Sequence, residues 1–270
     1  SSPVYTKTGS GIAHWDAANC VGQIRLRHDA ADLHLPDLSL NEAISAGAAT
    51  LIIGIAVVGG AIPDSMRLVI RDALSQGVDV ASGMHDRLSE DAEFSSVAES
   101  SGARIIDIRI PPPGITVGSG KKRSGKRLLT VGTDCALGKK YTALALAKEM
   151  KRRGADASFR ATGQTGILIS GRGIPIDAVV SDFVSGAAEQ LSPSAAEDHW
   201  DIIEGQGALL HPGFAAVSTG LLMGSQPDAL VVCSDATREK VFGWPDFPLP
   251  SIDEIVELST RIASVVNPAV

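Results

Sequence analysis

The sequence predicts an α/β protein of two domains, each built on a parallel sheet, and three observations carry that reading. β-rich runs alternate with segments whose apolar residues recur at helical spacing along most of the chain. One proline-rich, basic stretch near the middle interrupts the alternation. The composition, 44% hydrophobic with 4% aromatic residues and 28 glycines among 270, suits small side chains packed closely over buried strands. The second domain is expected to carry helices on both faces of its sheet.

Residues 1–40 have little periodicity and predict no definite element. Leu51 to Val58 is β-rich and bounded by glycines, a first strand. Asp64 to Gln76 then places Met66, Leu68, Val69, Ile70, Ala73 and Leu74 at helical spacing and stops at Gly77. Val78 to Ala81 predicts a strand, Asp91 to Ser100 a helix closed by Gly102, and Arg104 to Ile108 a third strand. Gly54, Gly59, Gly60 and the turn Ser82-Gly83-Met84-His85 mark ends of these units. No G-x-G-x-x-G follows the first strand, which argues against NAD.

Pro111-Pro112-Pro113-Gly114 cannot continue a helix or a central strand, so the first domain is read as residues 1–114. Residues 115–126 read as a linker, with Lys121, Lys122, Arg123, Lys126 and Arg127 as a solvated basic run. The second domain, 127–270, opens with a strand at Arg127 to Val131. A helix from Gly138 to Arg152, a strand from Ala155 to Ala161 and a helix from Ile176 to Leu191 follow. Trp200 to Ile203 is a short buried strand, Phe214 to Met223 a helix and Ala229 to Cys233 a strand. The closing helix, Ser251 to Val265, has Ser251 as its cap and Asp253 and Glu254 in its first turn.

With 24 Lys+Arg against 31 Asp+Glu, the net charge of -7 argues against nucleic-acid binding, which needs a basic surface. The most apolar stretch, Ala48 to Ile62, is broken by glycines and stops at Pro63, short of the ~18 residues a membrane span needs. Cys20, Cys135 and Cys233 are odd in number and widely spaced, so neither a disulfide framework nor a structural zinc site is indicated, and a cytoplasmic setting is expected.

The strongest motif follows the strand Leu128-Leu129-Thr130-Val131. Gly132, Thr133, Cys135, Ala136, Leu137, Gly138, Lys139, Lys140 and Tyr141, with Asp134 among them, run directly into a helix-forming segment. A loop of backbone N–H groups around a helix start, with a lysine beside it, is built to hold phosphate. Two departures from G-x-x-x-x-G-K-[ST] stand out: Thr133 occupies the first glycine position, and Lys140 the position of the Mg²⁺-binding hydroxyl. Thr142 cannot replace that hydroxyl, because two residues along a helix turn the side chain by about 200°. No metal site is expected; a second ammonium suits a diphosphate or 3′-phosphate, as in coenzyme A or a nucleotide.

GTDCALGKK resembles the GTDTxxGKT loop of dethiobiotin synthetases, and Glu204-Gly205-Gln206-Gly207 resembles their EGAGG segment. A closer resemblance extends over GTDCALGKKYTALAL, ATGQTGILI (161–169), DIIEGQGALLHPGF (201–214) and GSQPDALVVCSDATR (224–238). These are similar to a bacterial family long labelled a domain of unknown function, whose characterised members are D-glutamate or D-amino-acid N-acetyltransferases using acetyl-CoA. The resemblance implies an N-terminal Rossmann-like domain, a C-terminal P-loop-type domain, acetyl-CoA as co-substrate and an acidic D-amino acid as acceptor. ATP with Mg²⁺ belongs to the alternative, a ligase or carboxylase like dethiobiotin synthetase. A nucleotide-responsive binding protein without turnover is the reading from another class.

Glu204 ends the strand WDII at the carboxyl edge of the sheet and is a candidate general base, with loop capping or a tether to Lys139 as the competing role. His211, beside Pro212-Gly213, is an acid/base candidate against a structural loop histidine. Asp134 could face the acceptor amine or bond its own loop. Cys135, near a helix start and two lysines, could carry an acetyl group, although direct transfer from a thioester needs no nucleophile. Arg160, Gln164, Thr165, Arg172 and, with less support, Arg238 are the expected clamps for substrate carboxylates, against a solvated-loop role. His85 reads as a loop histidine or an inter-domain site residue. A homo-oligomer is expected only from the frequency of self-association.

Overall fold

The computed structural model describes residues 6–27, 29–55 and 62–270, and the chain divides into two compact units, Ser1–Ile110 and Pro111–Val270. In the first unit, α1 (Lys7–Trp15) and the short α2 (Leu40–Ser45) precede β1 (Thr50–Ile52). The helix α3 (Asp64–Ser75), β2 (Asp79–Ser82), α4 (Ala92–Ser101) and β3 (Ile105–Asp107) complete it. The three strands form a parallel sheet in the order β1-β2-β3. Ile70, Leu74, Val80, Leu88 and Phe94 are buried together in its core.

Two short helices arise where periodicity predicted none. The α2 start is fixed by a capping box in which Ser39 and Glu42 satisfy each other's backbone N–H groups, too short a pattern for a periodicity test. The expected strand 51–58 is shorter: β1 ends at Ile52, although Ile53 N still donates to Ala81 O at 2.9 Å, and positions 56–58 lie outside the described residues with Gly59 and Gly60. His85 is exposed on the turn after β2.

The second unit opens with β4 (Lys126–Gly132), α5 (Lys139–Arg152), β5 (Ala157–Arg160) and α6 (Gln164–Ser170). It continues through α7 (Val184–Leu191), β6 (Trp200–Ile203), α8 (Ala215–Ser225) and β7 (Ala229–Cys233). A two-stranded hairpin, β8 (Lys240–Val241) and β9 (Trp244–Pro248), precedes α9 (Ile252–Ala263). The sheet is parallel with the order β5-β6-β4-β7 and helices on both faces. Leu129 and Ile203 share one face and pack with Ala187, Leu221 and Leu222 from α7 and α8. The chain leaves β4 toward β5 and leaves the adjacent β6 toward β7, so their loops diverge and open a crevice at the carboxyl edge.

The helix expected over 176–191 begins only at Val184. Residues Ile176–Ala178 and Ser181–Phe183 form 3₁₀ turns instead, where Val179-Val180 and Ser181-Asp182 disfavour a continuous helix. The solvated reading of the basic run is corrected for two members. Arg127 is 1% exposed and donates from Nε to Ser192 Oγ at 3.0 Å and from NH2 to Ser124 O at 2.7 Å. Arg123 donates to the carbonyls of Ser192 and Gly224, both at 2.8 Å, and burial pushes its pKa down to about 10. Long side chains with several donors can satisfy buried carbonyls, which composition alone does not reveal.

Candidate active site

The loop between β4 and α5 sits at the crevice. Thr133 N donates to Cys233 O at 3.1 Å, fastening the loop to the end of β7, and Gly138 at φ +90° turns the chain into α5. Lys139 is buried, and its ammonium donates to Asp134 O at 2.7 Å, drawing the loop closed. Burial pushes the Lys139 pKa down, while the sulfur of Cys135 lies near enough to favour its charged form. The loop thus has the built-in positive field of a helix start and a lysine.

Asp134 is fully buried and is engaged on both oxygens. Its Oδ1 accepts from Cys135 N at 2.6 Å, and its Oδ2 accepts from Arg238 NH1 at 2.8 Å and Phe242 N at 2.7 Å. It braces the loop: of its two expected roles the structure shows the bonds to its own loop, and both oxygens are taken up away from any acceptor amine. Arg238 is corrected with it: besides Asp134 it donates to Cys135 O at 2.8 Å and Ala136 O at 3.4 Å, so it holds the loop and not a substrate carboxylate.

His211 is buried against Phe214 and Trp244, with ring centroids at 4.7 and 4.6 Å. Its Nδ1 accepts from Gly213 N at 3.1 Å, so the neutral ring carries its proton on Nε2. Nε2 is buried without a hydrogen-bond partner and faces Asp134 Oδ1 at 3.7 Å, beyond bonding range. In this tautomer His211 is a donor, not the general base.

Asp134, Cys135 and His211 offer one ligand atom each within 4.8 Å of one another. The Arg238 guanidinium and the Lys139 ammonium press on the same place, so its field favours an anion over a cation.

Glu204 stands on the other wall. Its Oε2 accepts from Thr162 N at 3.0 Å and Gly163 N at 3.2 Å, and its carbonyl accepts from Thr162 Oγ1 at 2.7 Å. Burial raises its pKa to about 7, against those N–H groups and the charge of Lys140, which favour the carboxylate. Lys140 lies 4.4 Å from the centre of the Tyr141 ring, and burial and Glu204 push the Tyr141 pKa up. The following Gly205 is required: a Cβ there would stand 1.7 Å from Thr130 O. Glu204 therefore caps the 162–163 turn and also has the pKa of a base at neutrality; Lys139 is tied elsewhere.

Arg160 does not reach this cluster. It pairs with buried Asp201 at 2.6 Å, and Asp201 also accepts from Ser192 Oγ at 2.8 Å, so the expected carboxylate clamp is a tie between β5 and β6. With Arg172 it lines a cavity of about 270 Å³ whose lining shares no residue with the phosphate loop. Gln164 and Thr165 were expected in a loop; they form the buried first turn of α6, beside the turn that Glu204 caps. Thr142 Oγ1 accepts from Cys233 Sγ at 3.5 Å, away from the metal-ligand position.

Sequence reasoning missed the hairpin that supplies Phe242 and Trp244. Its signal is Val241-Phe242-Gly243-Trp244, a two-residue turn with Gly243 at φ +83° between β-forming residues.

A P-loop-type sheet with a buried carboxylate across from its phosphate-loop-like turn, in a chain that also carries a Rossmann-like unit, defines the class of this protein. The family model "Domain of unknown function (DUF1611_C) P-loop domain" matches residues 116–270, and "Domain of unknown function (DUF1611_N) Rossmann-like domain" matches residues 21–111. The chain belongs to the DUF1611 family. A D-glutamate N-acetyltransferase of Tritonibacter scottomollicae is 46% identical over 97% of this chain and 78% of its own length. One of Pseudoalteromonas sp. is 47% identical over 98% of this chain and 80% of its own. A crystal structure of a DUF1611 family protein from Anabaena variabilis superposes with a TM-score of 0.88 at 34% identity, over 97% of this chain and 79% of that one. With these relatives, the chain is an N-acetyltransferase.

Proposed function

We propose that this protein moves the acetyl group of acetyl-CoA to the amino group of D-glutamate. The observation that carries this is the identity of nearly half of all positions, over almost the whole chain, with two proteins named D-glutamate N-acetyltransferase. The site supports it. Backbone N–H groups of residues 136–138 receive the coenzyme's phosphates, since those of Thr133 and Cys135 are bonded within the protein, with Lys139 behind them and Lys140 as a second ammonium. Lys140 replaces the Mg²⁺-binding hydroxyl and Thr142 turns toward Cys233, which weighs against the ATP-dependent alternative.

Glu204 takes the proton from the substrate ammonium, a role that a carboxylate with pKa about 7 fits. Gln164 and Thr165 are the donors we retain for the acceptor's carboxylates; Arg172 lines the separate cavity with Arg160 and is not retained. We further place the enzyme in the cytoplasm, where its three cysteines, none of them in a disulfide, stay reduced, and expect a homo-oligomer. Among the described residues, no helix is long and apolar enough to cross a membrane.

The test is mass identification of products after incubation with acetyl-CoA and a panel of D- and L-amino acids. N-acetyl-D-glutamate as the main product is expected. Acetylation of L-glutamate at an equal rate would overturn the stereochemical assignment.

A further inference from the structure

We propose that Cys135 is an acyl carrier: the acetyl group passes from the coenzyme to the Cys135 sulfur, and from there to the amine. This rests on the acetyl-transfer reading and adds a covalent intermediate to it.

Three observations converge on this sulfur. Cys135 is half-buried, so it is open to a thioester, and it sits in the loop that runs directly into α5. Its sulfur interacts with the Lys139 ammonium, and its carbonyl is held by Arg238, so cationic groups surround the place where a thiolate would form. The third is independent of the cysteine. The Nε2 of His211 is a fully buried donor with no acceptor, and a ring nitrogen of His211, an Asp134 oxygen and the Cys135 sulfur lie within 4.8 Å of one another.

A buried N–H without an acceptor carries a desolvation penalty that a charged acceptor would remove. Asp134 Oδ1 is already bonded to Cys135 N and lies beyond reach of Nε2. The Cys135 sulfur lies within 4.8 Å of a His211 ring nitrogen without yet bonding Nε2; as a thiolate, its proton gone to solvent, it is the acceptor we assign to that donor.

The chemistry balances without a further reagent. The Cys135 thiolate attacks the acetyl carbonyl, the new sulfur–carbon bond forms, and the bond to the coenzyme's sulfur breaks. The coenzyme leaves as a thiolate and takes a proton from solvent. The amine then attacks the S-acetyl group, an amide forms, and Cys135 returns as a thiolate. Glu204 takes the first proton, from the ammonium, and the second, displaced as the amide forms, leaves to solvent.

The first half-reaction needs no amino acid, so it is read separately from acceptor identity. The wild-type protein is mixed with acetyl-CoA alone, quenched in acid and mapped by peptide mass spectrometry. We expect one acetyl group on the peptide containing Cys135, released by hydroxylamine and discharged on adding D-glutamate. Initial rates should give parallel double-reciprocal lines. Cys135→Ala should keep the wild-type melting temperature and lose at least on the order of a hundredfold in kcat.

Absence of the adduct in an enzyme that turns over, with Cys135→Ala within a few-fold of wild type, overturns the proposal and leaves the transferase standing. An adduct stable to hydroxylamine on Lys139 or Lys140 also overturns it. An adduct on Cys135 that D-glutamate does not discharge but another amine does supports it while refuting the assigned acceptor.

Discussion

Arg238 reaches across 104 positions of sequence to donate to Asp134, with NH1 2.8 Å from Oδ2. The same guanidinium holds the carbonyls of Cys135 and Ala136, and Ala136 sits at φ +52°, a left-handed conformation that costs a non-glycine residue about 1–2 kcal/mol. The brace is what keeps the strained loop in its shape. Arg238→Ala removes the ion-pair partner of the buried Asp134 carboxylate, so stability should fall by about 3 kcal/mol. The KM for acetyl-CoA should rise by about tenfold as the loop loosens. Denaturant unfolding and initial-rate kinetics check both, and Arg238→Lys should recover part of each.

The acidity of Glu204 links turnover to stability. Its folded pKa of about 7 lies above the ordinary 4.5. Between those values the folded state keeps a proton that the unfolded state has lost, so stability falls as pH rises through the window, by on the order of 3 kcal/mol. Turnover moves the other way, rising through about pH 7 as the base form appears. Glu204→Gln should flatten both profiles and lower kcat by about 10²–10⁴. A stability curve that keeps its slope in the variant would assign the titration to another group.

Lys140 has two effects that one variant separates. Its charge helps hold Glu204 in the carboxylate form. Lys140→Ala should therefore shift the acidic limb of the kcat profile to higher pH, and should also raise the KM for acetyl-CoA by about tenfold. The KM effect should shrink with 3′-dephospho-acetyl-CoA if this ammonium meets the 3′-phosphate.

Two glycines distinguish scaffold from chemistry. A Cβ at Gly205 would stand 1.7 Å from Thr130 O, a backbone atom that cannot give way, so Gly205→Ala should destabilise by about 3 kcal/mol or more. A Cβ at Gly166 would meet the end of the Glu204 side chain, 2.3 Å from Oε2, and more loosely Ala161 Cβ at 3.2 Å. Gly166→Ala should displace that carboxylate, lowering kcat by about tenfold or more with a much smaller change in melting temperature.

What was legible in the sequence was what local pattern controls. The strand ending at Gly132, the loop to Gly138 and the helix from Lys139 announce themselves because a phosphate loop needs contiguous residues. Ser251 and Glu254 announced the last helix in the same way, through a local capping box. The partners of Asp134 were not legible, since Phe242 arrives from a hairpin with a two-residue strand and Arg238 from the segment just before it. Arg160 had the right chemistry for a clamp, but its pairing with Asp201 is set by strand register between β5 and β6. Side-chain direction of this kind comes from the assembled sheet, not from spacing along the chain.

Thiol release from acetyl-CoA in the presence of D-glutamate and a metal chelator, without nucleotide, tests the account most directly. Sustained release stoichiometric with N-acetyl-D-glutamate is the predicted result, with Glu204→Gln reducing it. No thiol release, together with phosphate release when ATP and Mg²⁺ replace acetyl-CoA, would contradict it.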